Sequence, residues 1–158
     1  MNPPHLFDIE NPLNLIAPSQ DNLLSWMQLV LNHLDIDRAN ISCYICDSEE
    51  IQSINQEYRQ QDKPTNILSF PFEVPPGLPA EAEENYFLGD LIICPEVIEA
   101  EAIEQKKERL NHWAHITIHG ILHLLGYDHI KDSEAEEMEA LEIQLLEKLN
   151  IKNPYHLN

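Results

Sequence analysis

The chain has 158 residues, which predicts one domain spanning residues 1–158, and its 43% hydrophobic and 23% charged composition excludes wholesale disorder. No apolar run approaches the roughly 18 residues of a membrane span, no signal-peptide pattern is visible, and three cysteines do not suit a secreted disulfide framework, so we expect a cytoplasmic protein with no membrane partner. The net charge of −19 argues against any broad electrostatic mode of nucleic-acid binding.

Apolar periodicity and turn residues divide the chain into strands and helices, and the last third is helical. The predicted strands are residues 13–17, 39–46, 67–72 and 88–94. The predicted helices run from a cap at Ser19 or Asp21 to residue 34, from a cap at Asp47 or Ser48 to residue 59, and over residues 95–106, 109–125 and 133–149. Residues 73–84 predict an exposed acidic loop. This order indicates one α+β or mixed-sheet domain.

Three histidines near the end of the predicted helix 109–125 give the strongest chemical signal. His119 and His123 are four residues apart, so their imidazoles project from one helix face on successive turns. Gly126 can end the helix in the left-handed conformation and bring His129 back over that face. Three neutral imidazoles with an open fourth position are typical of catalytic zinc. The pattern predicts a metal site, with polar positions on an amphipathic helix as the alternative.

The spacing of these histidines also matches the metzincin proteases, but one residue does not. Metzincins carry a glutamate general base directly after the first histidine, and here that position is Gly120. Because glycine can neither take nor give a proton, peptide hydrolysis is the less favoured interpretation.

Residues 119–129, H-G-I-L-H-L-L-G-Y-D-H, resemble the signature of the bacterial YbeY family of metal-dependent endoribonucleases, which act in ribosomal RNA maturation. Residues 62–71, D-K-P-T-N-I-L-S-F-P, and residues 88–93, L-G-D-L-I-I, resemble two further family segments. The N-x-x-Y-R pattern at residues 55–59 is a third. The likeness runs in order from about residue 51 to residue 130, with one departure at Asn66, where the family commonly has aspartate.

The resemblance implies a small, mostly parallel mixed sheet flanked by helices, with a metal site at the end of a central helix. It implies one zinc ion per chain on His119, His123 and His129, beside a cleft that Arg59 faces. The implied function is a zinc-dependent, single-strand endoribonuclease in ribosomal RNA maturation and ribosome quality control, with ribosomal RNA and ribosome-associated proteins as partners. The alternatives are a zinc peptidase or small-molecule hydrolase, and a non-enzymatic ribosome-associated factor with a structural zinc, which the net charge keeps open.

Arg59 is the candidate catalytic residue. Zinc held by three histidines can lower the pKa of its water toward about 7, and a guanidinium can stabilise the negative charge that develops on phosphate oxygens. The alternative for Arg59 is a solvated arginine at a helix end. We expect phosphate contacts from two basic groups, Arg59 with Lys63 and Lys106 with Lys107 and Arg109.

Four further residues are weaker candidates for the site, and most of them have a structural alternative. His112 and His115 continue the histidine stripe of the helix. We interpret His112 as a histidine at a helix interface. His115 has two interpretations: a group that supports the metal ligands or donates a proton near the substrate, or a second interfacial histidine. Asp128 orients a ligand imidazole or caps the turn, and Asp90 lines the cleft or serves a turn.

Cys43 and Cys46 form a C-x-x-C pattern, which is found in redox and metal sites. On a strand, residues three apart point to opposite faces. We therefore predict buried structural thiols.

The acidic residues of the last predicted helix are interpreted as its solvated face: Glu134, Glu136, Glu137, Glu139, Glu142 and Glu147.

Overall fold

The structure, a computed structural model, describes residues 5–72, 87–127 and 132–155. The strands in these ranges are β1 (His5–Glu10), β2 (Ala39–Ile45), β3 (Ile67–Pro71) and β4 (Phe87–Ile93). The helices are α1 (Gln20–His33), α2 (Ser48–Arg59), α3 (Pro95–Glu104), α4 (Arg109–Leu124) and α5 (Asp132–Lys148). The acidic loop predicted for residues 73–84 lies outside the described residues.

The strands form one mostly parallel sheet in the order β1-β2-β4-β3. β1 pairs with β2 and β2 with β4 in parallel, whereas β3 lies antiparallel to β4 at one edge. The small mixed sheet implied by the family resemblance is therefore confirmed, as is the α+β class.

Two predicted helix caps are confirmed. The Ser19 hydroxyl accepts a hydrogen bond from the Asn22 amide at 3.2 Å, and the Asp47 carboxylate accepts one from the Glu50 amide at 2.9 Å. Each satisfies one of the backbone donors that a helix start leaves unpaired. α1 and α2 consequently begin within a residue or two of the positions predicted.

The strand predicted over residues 13–17 is wrong, because the first strand is β1, which lies earlier in the chain. The side chain of Asn11 bonds both the amide and the carbonyl of Leu15 at 2.9 Å, so these backbone groups are satisfied locally rather than by a neighbouring strand. Pro12 adds a position that cannot donate to a ladder. The residues of β1 pair instead with residues 39–44 of β2.

Helix α4 runs through the centre of the molecule and packs against α1, α3, α5, β3 and β4. Every residue from 112 to 118 is buried. Gly120 lets the helix approach the sheet, since a Cβ at this position would lie 2.5 Å from Ile67 Cδ1 and 3.2 Å from Leu91 Cδ2. Within the described ranges, no helix has the length and apolarity needed to cross a bilayer.

The three cysteines are buried free thiols, as predicted for Cys43 and Cys46. Cys43 lies in the main apolar core, while Cys46 packs with Cys94 in a smaller cluster. Burial raises the pKa of the Cys43 and Cys46 thiols to about 12. Both stay protonated at neutral pH, which makes them poor metal ligands and weak nucleophiles.

We expect the double variant Cys43→Ser, Cys46→Ala to lose about 1–3 kcal/mol of unfolding free energy, because one polar hydroxyl and one small void enter the core. Metal content should not change. Urea unfolding and mass spectrometry of metal in the same preparation measure the two effects, and loss of metal from a folded variant would contradict the structural role.

Candidate active site

A cleft of about 690 Å³, here called the main cleft, opens beside the C-terminal half of α4. Its lining includes His115, His119 and His123 from α4, together with Arg59 from α2 and Ser69 from β3. The cleft thus brings together the end of α2, strand β3 and helix α4, which are far apart in the sequence. The metal-ligating and catalytic candidates described by the structure meet in one place.

His119 and His123 lie on successive turns of α4, and their Nε2 atoms are 3.0 Å apart. A tetrahedral zinc ion at 2.0–2.1 Å from two imidazoles separates the nitrogens by about 3.3 Å, so this pair fits a zinc site. His129 and Asp128 lie outside the described residues. Among the residues described, no group of three His, Cys, Asp or Glu is placed to hold a metal. The third ligand and the role of Asp128 stay predictions.

Glu142 is the main feature of the site that the sequence interpretation missed. The prediction that Glu142 lies on the solvated face of α5 is wrong, since its side chain is 0% exposed. Its carboxylate accepts hydrogen bonds from His119 Nδ1 at 2.5 Å, from His115 Nε2 at 3.0 Å and from the Tyr155 hydroxyl. A signal was present, because position 142 lies four residues after the buried Met138 and three before the buried Leu145.

These contacts fix the charge of Glu142 and the proton position on His119. Burial raises the pKa of the Glu142 carboxyl, but hydrogen bonds from His115, His119 and Tyr155 outweigh burial and lower the pKa to about 2. The carboxylate is ionised at neutral pH and can only accept hydrogen bonds. His119 therefore carries its proton on Nδ1, which leaves Nε2 unprotonated in the neutral imidazole, the form that binds a metal.

Arg59 is the last residue of α2 and lines the main cleft, as the family resemblance implies. Its Nη2 donates a hydrogen bond to the Ser69 carbonyl at 2.7 Å, and its guanidinium carbon lies 5.0 Å from the centre of the Phe70 ring. These two contacts to β3 hold an exposed side chain in a defined position. The position of Arg59 is observed, whereas its catalytic role stays a prediction.

Asn66 also lines the main cleft, and its neighbours explain the amide. Its Nδ2 donates to both carboxylate oxygens of Glu101, at 3.1 and 3.3 Å. An aspartate at position 66 would place a like charge against Glu101. Glu101 also accepts from Nε2 of the buried His112 at 3.0 Å, so His112 lies at the interface of α3 and α4, as predicted.

The remaining candidates are placed less centrally. Asp90 lies inside β4 opposite Phe70 and is not among the described residues that line the main cleft, and burial raises the pKa of its carboxyl. Arg109 forms an ion pair with Glu99. Lys63 lies outside the lining of the main cleft. Within the described residues, Arg59 is the only basic candidate for phosphate contact that lines the main cleft.

Comparison with known proteins agrees with this architecture. The sequence profile of the family described as Endoribonuclease YbeY matches residues 9–150. A protein of Francisella tularensis subsp. tularensis (strain FSC 198) named Endoribonuclease YbeY is 56% identical over 148 residues, covering 94% of this chain and 85% of that protein. The protein of the same name from Francisella tularensis subsp. novicida (strain U112) is 55% identical over 148 residues, covering 94% of this chain and 88% of its own.

A solved structure has the same fold. The solution structure of TM1509 from Thermotoga maritima superposes with a TM-score of 0.58 at 25% sequence identity. The superposition covers 96% of this chain and 100% of that one.

Proposed function

The chain belongs to the YbeY family of endoribonucleases and is a hydrolytic nuclease, and from this premise we propose that it cuts single-stranded ribosomal RNA with one zinc ion on His119, His123 and His129. The proposed role is maturation of ribosomal RNA and quality control of ribosomes, in contact with ribosome-associated proteins. The observation that carries the zinc proposal is the 3.0 Å approach of His119 Nε2 to His123 Nε2, with His119 Nδ1 held by Glu142.

The side chains of the main cleft have separate tasks in this proposal. Zinc, when bound, supplies a Lewis acid that polarises a phosphoryl oxygen and acidifies water. Arg59 has five N–H donors, of which the Ser69 carbonyl takes one, and it stabilises the negative charge that builds up on the phosphate during cleavage. Glu142 is a positioning residue that fixes the ring and tautomer of His119.

Peptide hydrolysis is disfavoured by the packing of α4 as well as by the sequence. The position after His119 faces the sheet, where a Cβ would meet Ile67 at 2.5 Å. A glutamate at position 120 would therefore require the Ile67 side chain to shift. The ionised Glu142 is tied to His119 from the other side of the ring.

The test is metal content together with cleavage of RNA and peptide panels by one preparation. We expect about one zinc per chain, lost in each of His119→Ala, His123→Ala and His129→Ala, because three neutral imidazoles hold it. Occupancy of the parent should fall as the pH drops below about 6, where imidazoles become protonated. RNA should be cut and peptides should not.

His33→Ala is the matched control, since His33 lies on α1, outside the main cleft, and bonds Lys148. It should keep full metal content. Near-stoichiometric metal in all three ligand variants would remove the zinc site from the proposal. Peptide cleavage without RNA cleavage would overturn the substrate class.

A further inference from the structure

The lining of the main cleft differs in charge from the chain as a whole. The chain has 28 acidic residues and a net charge of −19. None of the described residues that line the main cleft is acidic, and Arg59 is the only lysine or arginine among them. This lining presents no carboxylate to a polyanion, but it offers a single fixed positive charge with which to hold one. An RNA strand bound there needs contacts that do not depend on phosphate charge.

Tyr155 supplies an aromatic surface in the main cleft. It follows α5 in the chain and is 42% exposed, whereas Glu142, which its hydroxyl bonds, is 0% exposed. The hydroxyl end of the side chain is therefore turned inward, and the ring is what the side chain presents to the cleft. Tyr127 also lines the cleft, but it is partly buried and packs against the apolar core. Tyr155 is the more accessible of the two tyrosines.

Two contacts hold the Tyr155 ring in a defined orientation. Its hydroxyl donates to the Glu142 carboxylate, and its ring lies 5.6 Å from the His115 ring at an interplanar angle of 88°. A perpendicular neighbour covers at most one face of the tyrosine ring. Within the described ranges, no aromatic ring other than that of His115 contacts it. Ring surface is therefore open to a ligand that stacks, and little side-chain entropy is lost when it does.

The Tyr155 ring lies close to the candidate metal ligands. One carboxylate, that of Glu142, bonds both the Tyr155 hydroxyl and His119 Nδ1. His115, which packs against the tyrosine ring, is one helical turn before His119, and the two imidazole centroids are 6.4 Å apart. A base that stacks on Tyr155 therefore belongs to a nucleotide at or beside the bond that the metal site would cut.

We propose that the ring of Tyr155 is a stacking platform for an unpaired base of the RNA substrate, next to the bond that is cut, and that it contributes to a preference for single strands. This inference rests on the proposed function, because it concerns the same cleft and the same substrate. Every base has a π-face, so the platform tolerates any sequence. In a duplex both faces of an internal base are covered by its neighbours, so only an unpaired nucleotide reaches the ring.

The test compares the zinc-loaded parent with Tyr155→Ala. The probes are a fluorescent single-stranded RNA of about 12 nucleotides and an abasic strand of equal length and charge. Stopped-flow fluorescence reads binding before the strand is cut. Tyr155→Ala should bind the normal strand about 5–150-fold more weakly, the range for one stacked base, and the abasic strand as tightly as the parent does. Both proteins should have the same slope of log affinity against log salt, since no charge is removed.

Tyr155→Phe keeps the ring and loses the hydroxyl, so it should recover most of the affinity for the normal strand. Zinc is kept saturating, because loss of the hydroxyl also removes a hydrogen bond from Glu142. Tyr44→Ala is the matched control, since Tyr44 lies on β2 outside the main cleft and its hydroxyl also bonds a carboxylate, that of Glu50 at 3.1 Å. This control should bind both strands like the parent.

Three results would overturn the platform. The first is parental affinity of Tyr155→Ala for the normal strand. The second is an equal loss of affinity for the normal and the abasic strand, and the third is a Tyr155→Phe protein as weak as Tyr155→Ala. The last two would assign the residue a structural role only.

The two proposals fail separately in this experiment. If the parent binds RNA through the ring and the bases but does not cut it, the proposed function fails and Tyr155 stands as part of a binding surface. If the parent cuts RNA and Tyr155→Ala binds the normal strand like the parent, the platform alone is wrong.

Discussion

Arg59→Ala should cut RNA about 10²–10³-fold more slowly than the parent, the usual loss on removing one preorganised donor from a developing oxyanion. The reason is geometric, since the Ser69 carbonyl and the Phe70 ring hold the guanidinium in the cleft that His119 also lines. Metal content should be unchanged. Unfolding free energy should stay within about 1 kcal/mol of the parent, because Arg59 is exposed. Single-turnover RNA cleavage and urea unfolding measure both.

Two variants sharpen this prediction. Arg59→Lys keeps the charge but loses the planar fork, so only part of the rate should return. Arg38→Ala removes an exposed arginine outside the main cleft and should cut at the parental rate. Parental cleavage by Arg59→Ala would take this residue out of the mechanism.

Glu142→Gln should lower metal affinity about 10–100-fold, as loss of the group that orients a ligand histidine usually does. The amide has one acceptor oxygen where the carboxylate has two, so His119, His115 and Tyr155 cannot all keep their hydrogen bonds. Unfolding free energy of the metal-free protein should fall by about 1–3 kcal/mol at pH 7. Competition with a chelator measures the metal affinity.

The stability difference should depend on pH in a defined direction. The pKa of Glu142 is lowered from 4.5 to about 2, so its ionised form stabilises the fold above about pH 4.5 and that contribution is lost as pH falls toward 2. Metal-free parent and Glu142→Gln should therefore converge in stability below pH 4.5. Glu136→Gln, an exposed change on the same helix, should match the parent throughout. A constant gap between parent and Glu142→Gln would contradict the assigned charge state.

The elements of the fold were largely predictable because their signals are local. The caps at Ser19 and Asp47 act within three residues, and the alternating burial of β2 follows its own sequence. The misplaced first strand shows the limit of such signals. Residues 5–10 become a strand because β2 lies beside them, and no local pattern reveals which segment a neighbouring strand will select.

The same distinction between local signals and tertiary packing applies to the site. His119 and His123 could be paired from the sequence because a helix places residues four apart on one face. Glu142 could not be paired with them by spacing, since its contact depends on how α5 packs against α4. An acidic residue within an acidic run is normally interpreted as exposed to solvent. Its burial can be predicted only when its position is seen to fall on the apolar face of the helix.

The burial of Glu142 also bears on when the enzyme becomes active. The carboxylate that fixes His119 lies on α5, and the hydroxyl that bonds this carboxylate belongs to Tyr155, still later in the chain. During synthesis, which runs from the N-terminus, α4 leaves the ribosome before its acceptor does. Until α5 has docked, His119 lacks the partner that sets its tautomer, and the main cleft lacks its Tyr155 wall. The candidate active site of this nuclease therefore gains its last contacts from the part of the chain that is synthesised last.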